Sequence, residues 1–222
     1  MILFYKNYKG AFMELPLVIT IGHQKGGVGK STVAINLLVE FAKEFKTKAI
    51  DLDAQRSLTV FNHKRGNNLN VQIVETASML KEIVNTNEDL LIIDVAGIDS
   101  DLNRMAIMAA DILITPVSDS EIELFGLMNF KRIIQQIHQV RDDLRATVLL
   151  NRINPRSKHS AGNIREFVDE SAEFDMFKTI IRDRIDFKRS FAKGSSVVEM
   201  KSNSEAAVEI KSLIEEIKAW QK

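Results

Sequence analysis

Short continuous apolar runs alternate with longer stretches in which apolar residues recur every three or four positions, from Leu17 to the end of the chain. Unbroken apolar runs suit strands covered on both faces, and the three-to-four spacing suits helices with one buried side. The pattern predicts strands at Leu17 to Ile21, Thr47 to Leu52, Val71 to Val74, Leu90 to Ile93, Ile112 to Thr115, Ala146 to Leu150 and Thr179 to Ile181. Between them it predicts helices at Val33 to Phe41, Thr76 to Val84, Leu102 to Ala110, Ser120 to His138, Ser160 to Glu173 and Glu205 to Trp220. In the long helix, Ile122, Phe125, Leu127, Phe130, Ile133, Ile134 and Ile137 are the inward candidates; in the last, Val208, Leu213, Ile217 and Trp220. Strands alternating with helices imply an α/β fold with three layers, a mostly parallel twisted sheet with helices on both faces. Pro116 is expected to stop the strand before it. Residues 1–12 read as a short N-terminal arm and 13–222 as a single domain, with no internal repeat.

The first strand runs into Gln24-Lys25-Gly26-Gly27-Val28-Gly29-Lys30-Ser31-Thr32, and a helix follows. Strand, glycine loop and helix form the context of a phosphate-binding P-loop. The glycines let backbone N–H groups of residues 26 to 32 turn inward, and the helix start adds free N–H groups and a positive dipole end. Lys30 is the cation for the β- and γ-phosphates, and the Ser31 hydroxyl is a ligand for Mg²⁺. The usual first glycine of this pattern is replaced by Gln24, and a second lysine, Lys25, stands ahead of Gly26-Gly27.

Composition narrows the class. The 222 residues hold 45% hydrophobic and 27% charged side chains, as in a globular protein. There is no cysteine, which removes disulfides and thiolate chemistry and makes a cytoplasmic location the default. Formal net charge is zero, so any binding of nucleic acid must come from a local patch. No run is apolar enough to span a bilayer.

Two further strand ends carry acids. Asp51-Leu52-Asp53 closes the second strand, where open α/β sheets place their ligands, and Asp94 closes the run Leu90 to Ile93. With the paired-lysine loop, these stretches resemble the ParA/MinD group of ATPases and their deviant P-loop, in particular ParA partition ATPases of the short form without an N-terminal DNA-binding domain. The resemblance implies a P-loop ATPase using ATP and Mg²⁺. Asp53 would orient the attacking water and, with Ser31 and Asp94, serve the metal. Asn151, after the sixth strand, would hydrogen-bond adenine, an edge that needs both a donor and an acceptor. Lys25 would act catalytically from one subunit on nucleotide bound by the other, in a homodimer closed by ATP. Three departures stand out: Ala54 where the family has proline, Val95-Ala96-Gly97 after Asp94, and no basic membrane-binding helix at the C-terminus.

The family's ATP-bound dimer binds non-specific DNA and is reset by hydrolysis that a ParB-like centromere-binding protein stimulates, which implies a nucleoid-associated protein and no membrane partner. The densest basic cluster, Arg182, Arg184, Lys188, Arg189 and Lys193, is the candidate DNA contact, with Phe187 and Phe191 anchoring its segment to the core. A MinD-like membrane-cycling ATPase and a metabolic P-loop synthetase of the same superfamily are the alternatives.

Overall fold

The computed structural model describes residues 4–8, 11–84, 87–156 and 161–220. Its centre is a sheet of seven strands: β3 (Leu17–Ile21), β4 (Thr47–Asp51), β5 (Asn70–Ile73), β6 (Leu90–Asp94), β7 (Ile112–Val117), β8 (Ala146–Ile153) and β9 (Phe174–Arg182). Their order is β5-β4-β6-β3-β7-β8-β9, and every pairing is parallel. Two earlier strands, β1 (Phe4–Tyr8) and β2 (Ala11–Leu15), pair with each other in a separate antiparallel hairpin that runs across the 12/13 boundary. Residues 1–3, 9–10 and the expected helix start at Ser160 lie outside the described residues.

The central strand shows why the runs lack alternation. Leu17, Ile19 and Ile21 pack on one face with α1 (Lys30–Phe41) and α9 (Glu205–Lys218). Val18 turns to the other, against α3 (Ala77–Val84) and α4 (Asp101–Met108). Further along the sheet that second face is covered by α5 (Glu121–Ile137) and α6 (Gly162–Asp169). A strand sandwiched this way loses no apolar position to water.

Four expectations fail, each for a physical reason. β7 continues through Pro116 to Val117. Pro116 faces the same side as Ile114, whose carbonyl accepts from Gly22, and the β3 ladder has ended there, so no ladder bond is lost. Ile122 and Phe125 are 66% and 65% exposed, because they lie on the far side of α5 from Leu127, Phe130 and Ile134. Val208 is 54% exposed: it sits five residues before Leu213, about 140° around the helix, and the buried stripe is Ala206, Ala207, Ile210, Leu213, Ile214 and Ile217. The last strand starts at Phe174, not Thr179, since Phe174 to Met176 pair with Ala146 to Val148 and end the preceding helix early.

Two short helices complete the chain near its end: α7 (Ile185–Ala192) and α8 (Val197–Met200). A further one, α2 (Ser57–Lys64), follows β4.

Candidate functional site

The segments that follow β3 and β4, with the carboxyl ends of β8 and β9, open onto one cavity of about 500 Å³. Gly26, Gly27, Gly29, Lys30, Ser31 and Thr32 line it, opposite Asp53, Asn151 and Arg152. Gly27 and Gly29 have φ of 80° and 93°, and Gly29 is the N-cap of α1. It has no side chain to cap the helix, and no acid stands in the first turn. Free N–H groups and the positive dipole end therefore face the cavity, as an anion requires.

Lys30 is 5% exposed, and its ammonium donates to the Lys25 carbonyl at 2.9 Å. Burial lowers its pKa, against the opposing pull of Asp94, Asp53 and Glu123. Beneath the loop, Asp94 is fully buried beside Asp51, its register partner, and both its carboxylate oxygens lack a hydrogen-bond partner. Its pKa is pushed up to about 7, first by burial and then by Asp51 and Asp53, with Ser31 and Lys30 opposing. The Ser31 hydroxyl favours the ionised form from close by, yet it leaves both oxygens geometrically unsatisfied. A bare, buried carboxylate beside a hydroxyl and a cradle of N–H groups fits Mg²⁺ shared with phosphate, which keeps several waters and needs only one or two carboxylates. Among the described residues no three His, Cys, Asp or Glu side chains form a cage for a metal by themselves.

The two strand-end carboxylates divide their work. Asp51 Oδ2 accepts from the Thr59 N–H at 3.0 Å and its hydroxyl at 2.8 Å, tying down the first turn of α2. Asp53, just beyond the strand end, braces its own loop through the Gln55 N–H at 2.9 Å and borders the cavity. Asn151 is buried and its Nδ2 donates to the Val28 carbonyl at 2.7 Å, so it steadies the P-loop as well as lining the cavity. Val28 has a buried side chain and does not line the cavity; its carbonyl is taken by Asn151.

Lys25 lies elsewhere. Its ammonium leaves the cavity and meets Glu123 on α5 at 2.5 Å. Ser120 holds the N-cap position of α5 as expected, but its side chain makes no capping bond, and Glu123 turns to the lysine instead. The basic cluster splits as well. Arg182, Arg184 and Lys188 line the cavity, Arg182 and Arg184 converge on Glu209, and Arg189 and Lys193 are exposed on the outside. Phe187 and Phe191 pack on the core, Phe191 against Phe61 at 5.8 Å, and also line the cavity.

Several residues of the site escaped the sequence reading. Arg152 donates to the Gly27 carbonyl at 2.6 Å; nothing in its neighbourhood signalled this. Gly97 brings its loop against the P-loop, where a Cβ would lie 2.9 Å from the Gly26 nitrogen; the spacing Asp94-x-x-Gly97 was the available signal. His23 is buried beneath Lys25, with its pKa pushed down to about 3 by burial and then by Lys30 and Lys25.

Residues 19–197 match the family described as CobQ/CobB/MinD/ParA nucleotide binding domain. Over 222 residues the chain is 26% identical to "Maintenance of carboxysome distribution protein A" of Gloeobacter kilaueensis, covering 96% of this chain and 100% of that one. It is also 26% identical to "Protein ParA" of Rhizobium radiobacter, covering 86% and 91%. The fold superposes on an ATP complex of Cyanothece McdA with a TM-score of 0.73 at 19% identity, covering 93% of this chain and 98% of that one.

Proposed function

The chain belongs to the CobQ/CobB/MinD/ParA nucleotide binding domain family, and from that premise we propose that it is an Mg-ATP-dependent switch ATPase that positions a cargo along DNA. The observation that carries this reading is the pairing of a complete phosphate cradle with a second lysine, Lys25, that points out of it. Backbone N–H groups of residues 26 to 32 and Lys30 hold the phosphates. Ser31 and Asp94, with Asp53 at the rim, would hold the metal, and Mg²⁺ there would supply charge neutralisation for the phosphates. Asp53 orients the attacking water, and Lys25 of a second copy completes the site. Asn151 and the wall of Phe187 and Arg152 receive the base. Exposed Lys188, Arg189 and Lys193 meet DNA phosphates without reading sequence, with Arg182 and Arg184 behind them.

One relative's name speaks of carboxysome distribution and a similar structure's of plasmid partition, so the cargo is a plasmid, a chromosome or a protein body, with a cargo-bound partner that stimulates hydrolysis. Against a MinD-like membrane cycle stands α9, whose apolar stripe is buried on the sheet. Among the described residues no helix is long and apolar enough to cross a membrane.

DNA co-sedimentation of the wild type and Asp53→Ala with ATP, ADP or no nucleotide tests the reading. ATP alone should support pelleting, the variant should stay bound longer, and binding should fall steeply with salt. Pelleting that ignores nucleotide or salt would refute it. Sedimentation with liposomes instead would favour the membrane cycle.

A further inference from the structure

The ion pair between Lys25 and Glu123 is unequal. The lysine side chain is 40% exposed and the glutamate 6%. Glu123 stands in the first turn of α5, where free N–H groups favour a carboxylate, yet its Oε2 is buried with no hydrogen-bond partner. Among the described residues Lys25 is the one side chain that donates to it. Taking the ammonium away would strand a desolvated carboxylate, a far larger penalty than parting an exposed pair.

The close approach of helix and loop is built in. Three residues after Glu123, Gly126 presents bare backbone to His23, where a Cβ would come within 2.9 Å of the ring. Phe130, a further turn along the same face, stacks on that ring at 6.0 Å. His23 Nδ1 in turn accepts the Lys25 N–H at 3.0 Å. One face of α5 thus grips the segment that carries Lys25, and the grip ends in the ion pair. The Lys25 carbonyl is also the resting place of the Lys30 ammonium. A phosphate that draws Lys30 into the cradle removes one of the bonds steadying Lys25.

We propose that Glu123 is a latch in cis: a positioning residue that holds Lys25 on its own subunit until phosphate in the cradle and a second copy's nucleotide together outbid the carboxylate. The latch rests on the ATP-dependent pairing of two copies proposed above. It makes loading of a subunit's own pocket loosen the lysine it lends to its partner. It also raises the threshold for pairing, so that two copies do not close on a weaker anion than a triphosphate.

Glu123→Gln keeps shape and removes the charge. Sedimentation velocity of wild type and variant is measured across protein concentration with magnesium and a non-hydrolysable ATP analogue. In parallel, acylation of Lys25 in the single-copy protein is followed by peptide mass spectrometry. The variant should pair at about a hundredfold lower concentration, roughly tenfold for each of two latches, and its Lys25 should label several-fold faster. Unchanged or weaker pairing of the variant, or unchanged labelling, would overturn the latch. A wild type that never pairs would instead remove the switch reading beneath it. Should Glu123→Gln fail to fold, Glu123→Asp, which withdraws the carboxylate by one methylene, should move both readouts the same way by less; no movement would overturn the latch equally.

Discussion

Two regions that flank the cavity, the shell behind the P-loop and the C-terminal segment, treat charge in opposite ways. On the P-loop side, buried polar atoms stand alone: both oxygens of Asp94, Oε2 of Glu123 and Nε2 of His23. On the C-terminal side the carboxylates are paired, although the Arg65 Nε is buried without a partner. Arg65 forks onto both oxygens of Glu199 and donates to the Gly194 carbonyl. Arg182 and Arg184 share Glu209, and Arg184 also reaches Glu205. Glu216 receives the N–H groups of Lys178 and Thr179. A buried polar atom without a partner costs about 1–3 kcal/mol, and folds keep such atoms where something else completes them. The first region is therefore the reactive one and the second is its frame. That contrast predicts that substitutions in the first region change ligand binding, and those in the second change stability.

The largest effect belongs to Lys30→Ala. Nucleotide affinity, read by titration calorimetry, should fall at least about 100-fold while the fold persists. Affinity within about threefold of wild type would deny the cradle its central cation. Next comes Asp53→Ala, which should bind nucleotide normally and hydrolyse it about 100-fold more slowly. Normal turnover would move the water-orienting role elsewhere.

Asp94→Asn should act in two directions at once. A carboxyl whose pKa rises from 3.8 to about 7 on folding opposes the folded state increasingly as pH climbs between those values. Without magnesium, the variant should be more stable than wild type at about pH 8, by about 2 kcal/mol, with the gain vanishing near about pH 4. It should also lose the magnesium dependence of nucleotide binding. Thermal melts across pH, with and without the metal, check both; a variant less stable than wild type in mild alkali would contradict the picture of a bare buried charge.

The smallest effect tests the frame. Burial would raise the Glu199 pKa, but the Arg65 fork and the Ser196 N–H outweigh it and hold it below the ordinary 4.5. A carboxylate held low stabilises the fold above its unfolded pKa and loses that contribution as pH falls through the folded one. Glu199→Gln should cost about 1 kcal/mol at about pH 7, with nucleotide affinity unchanged, and the difference should close below about pH 4.5. A pH-independent difference would mean that the fork carries no charge-based stability.

Much of this was open to reading along the chain, because it depends on neighbours in sequence. Strand, glycine loop and helix lie within Leu17 to Phe41, and the acids sit one residue after, or at, the end of apolar runs. Gly194, Val197 and Glu199 also lie within six residues but do separate jobs: Gly194 has φ of 63° and packs on the Arg65 backbone, Val197 is buried in α8, and Glu199 takes the fork. Helix faces were legible only where the apolar stripe was narrow. On α5 apolar residues surround most of the axis, so Ile122 and Phe125 could not be told from Leu127 and Phe130 without knowing which side meets the sheet.

By itself the sequence determined the phosphate loop, the parallel α/β architecture and the acids at the strand ends, since all three follow from local periodicity and spacing. Only the tertiary structure decided which charges remain available. Lys25 finds Glu123 98 residues away, Asn151 finds Val28 across 123, and Arg65 finds Glu199 across 134. Pairings at such distance depend on how elements pack, and no residue type announces in advance which partner will neutralise it.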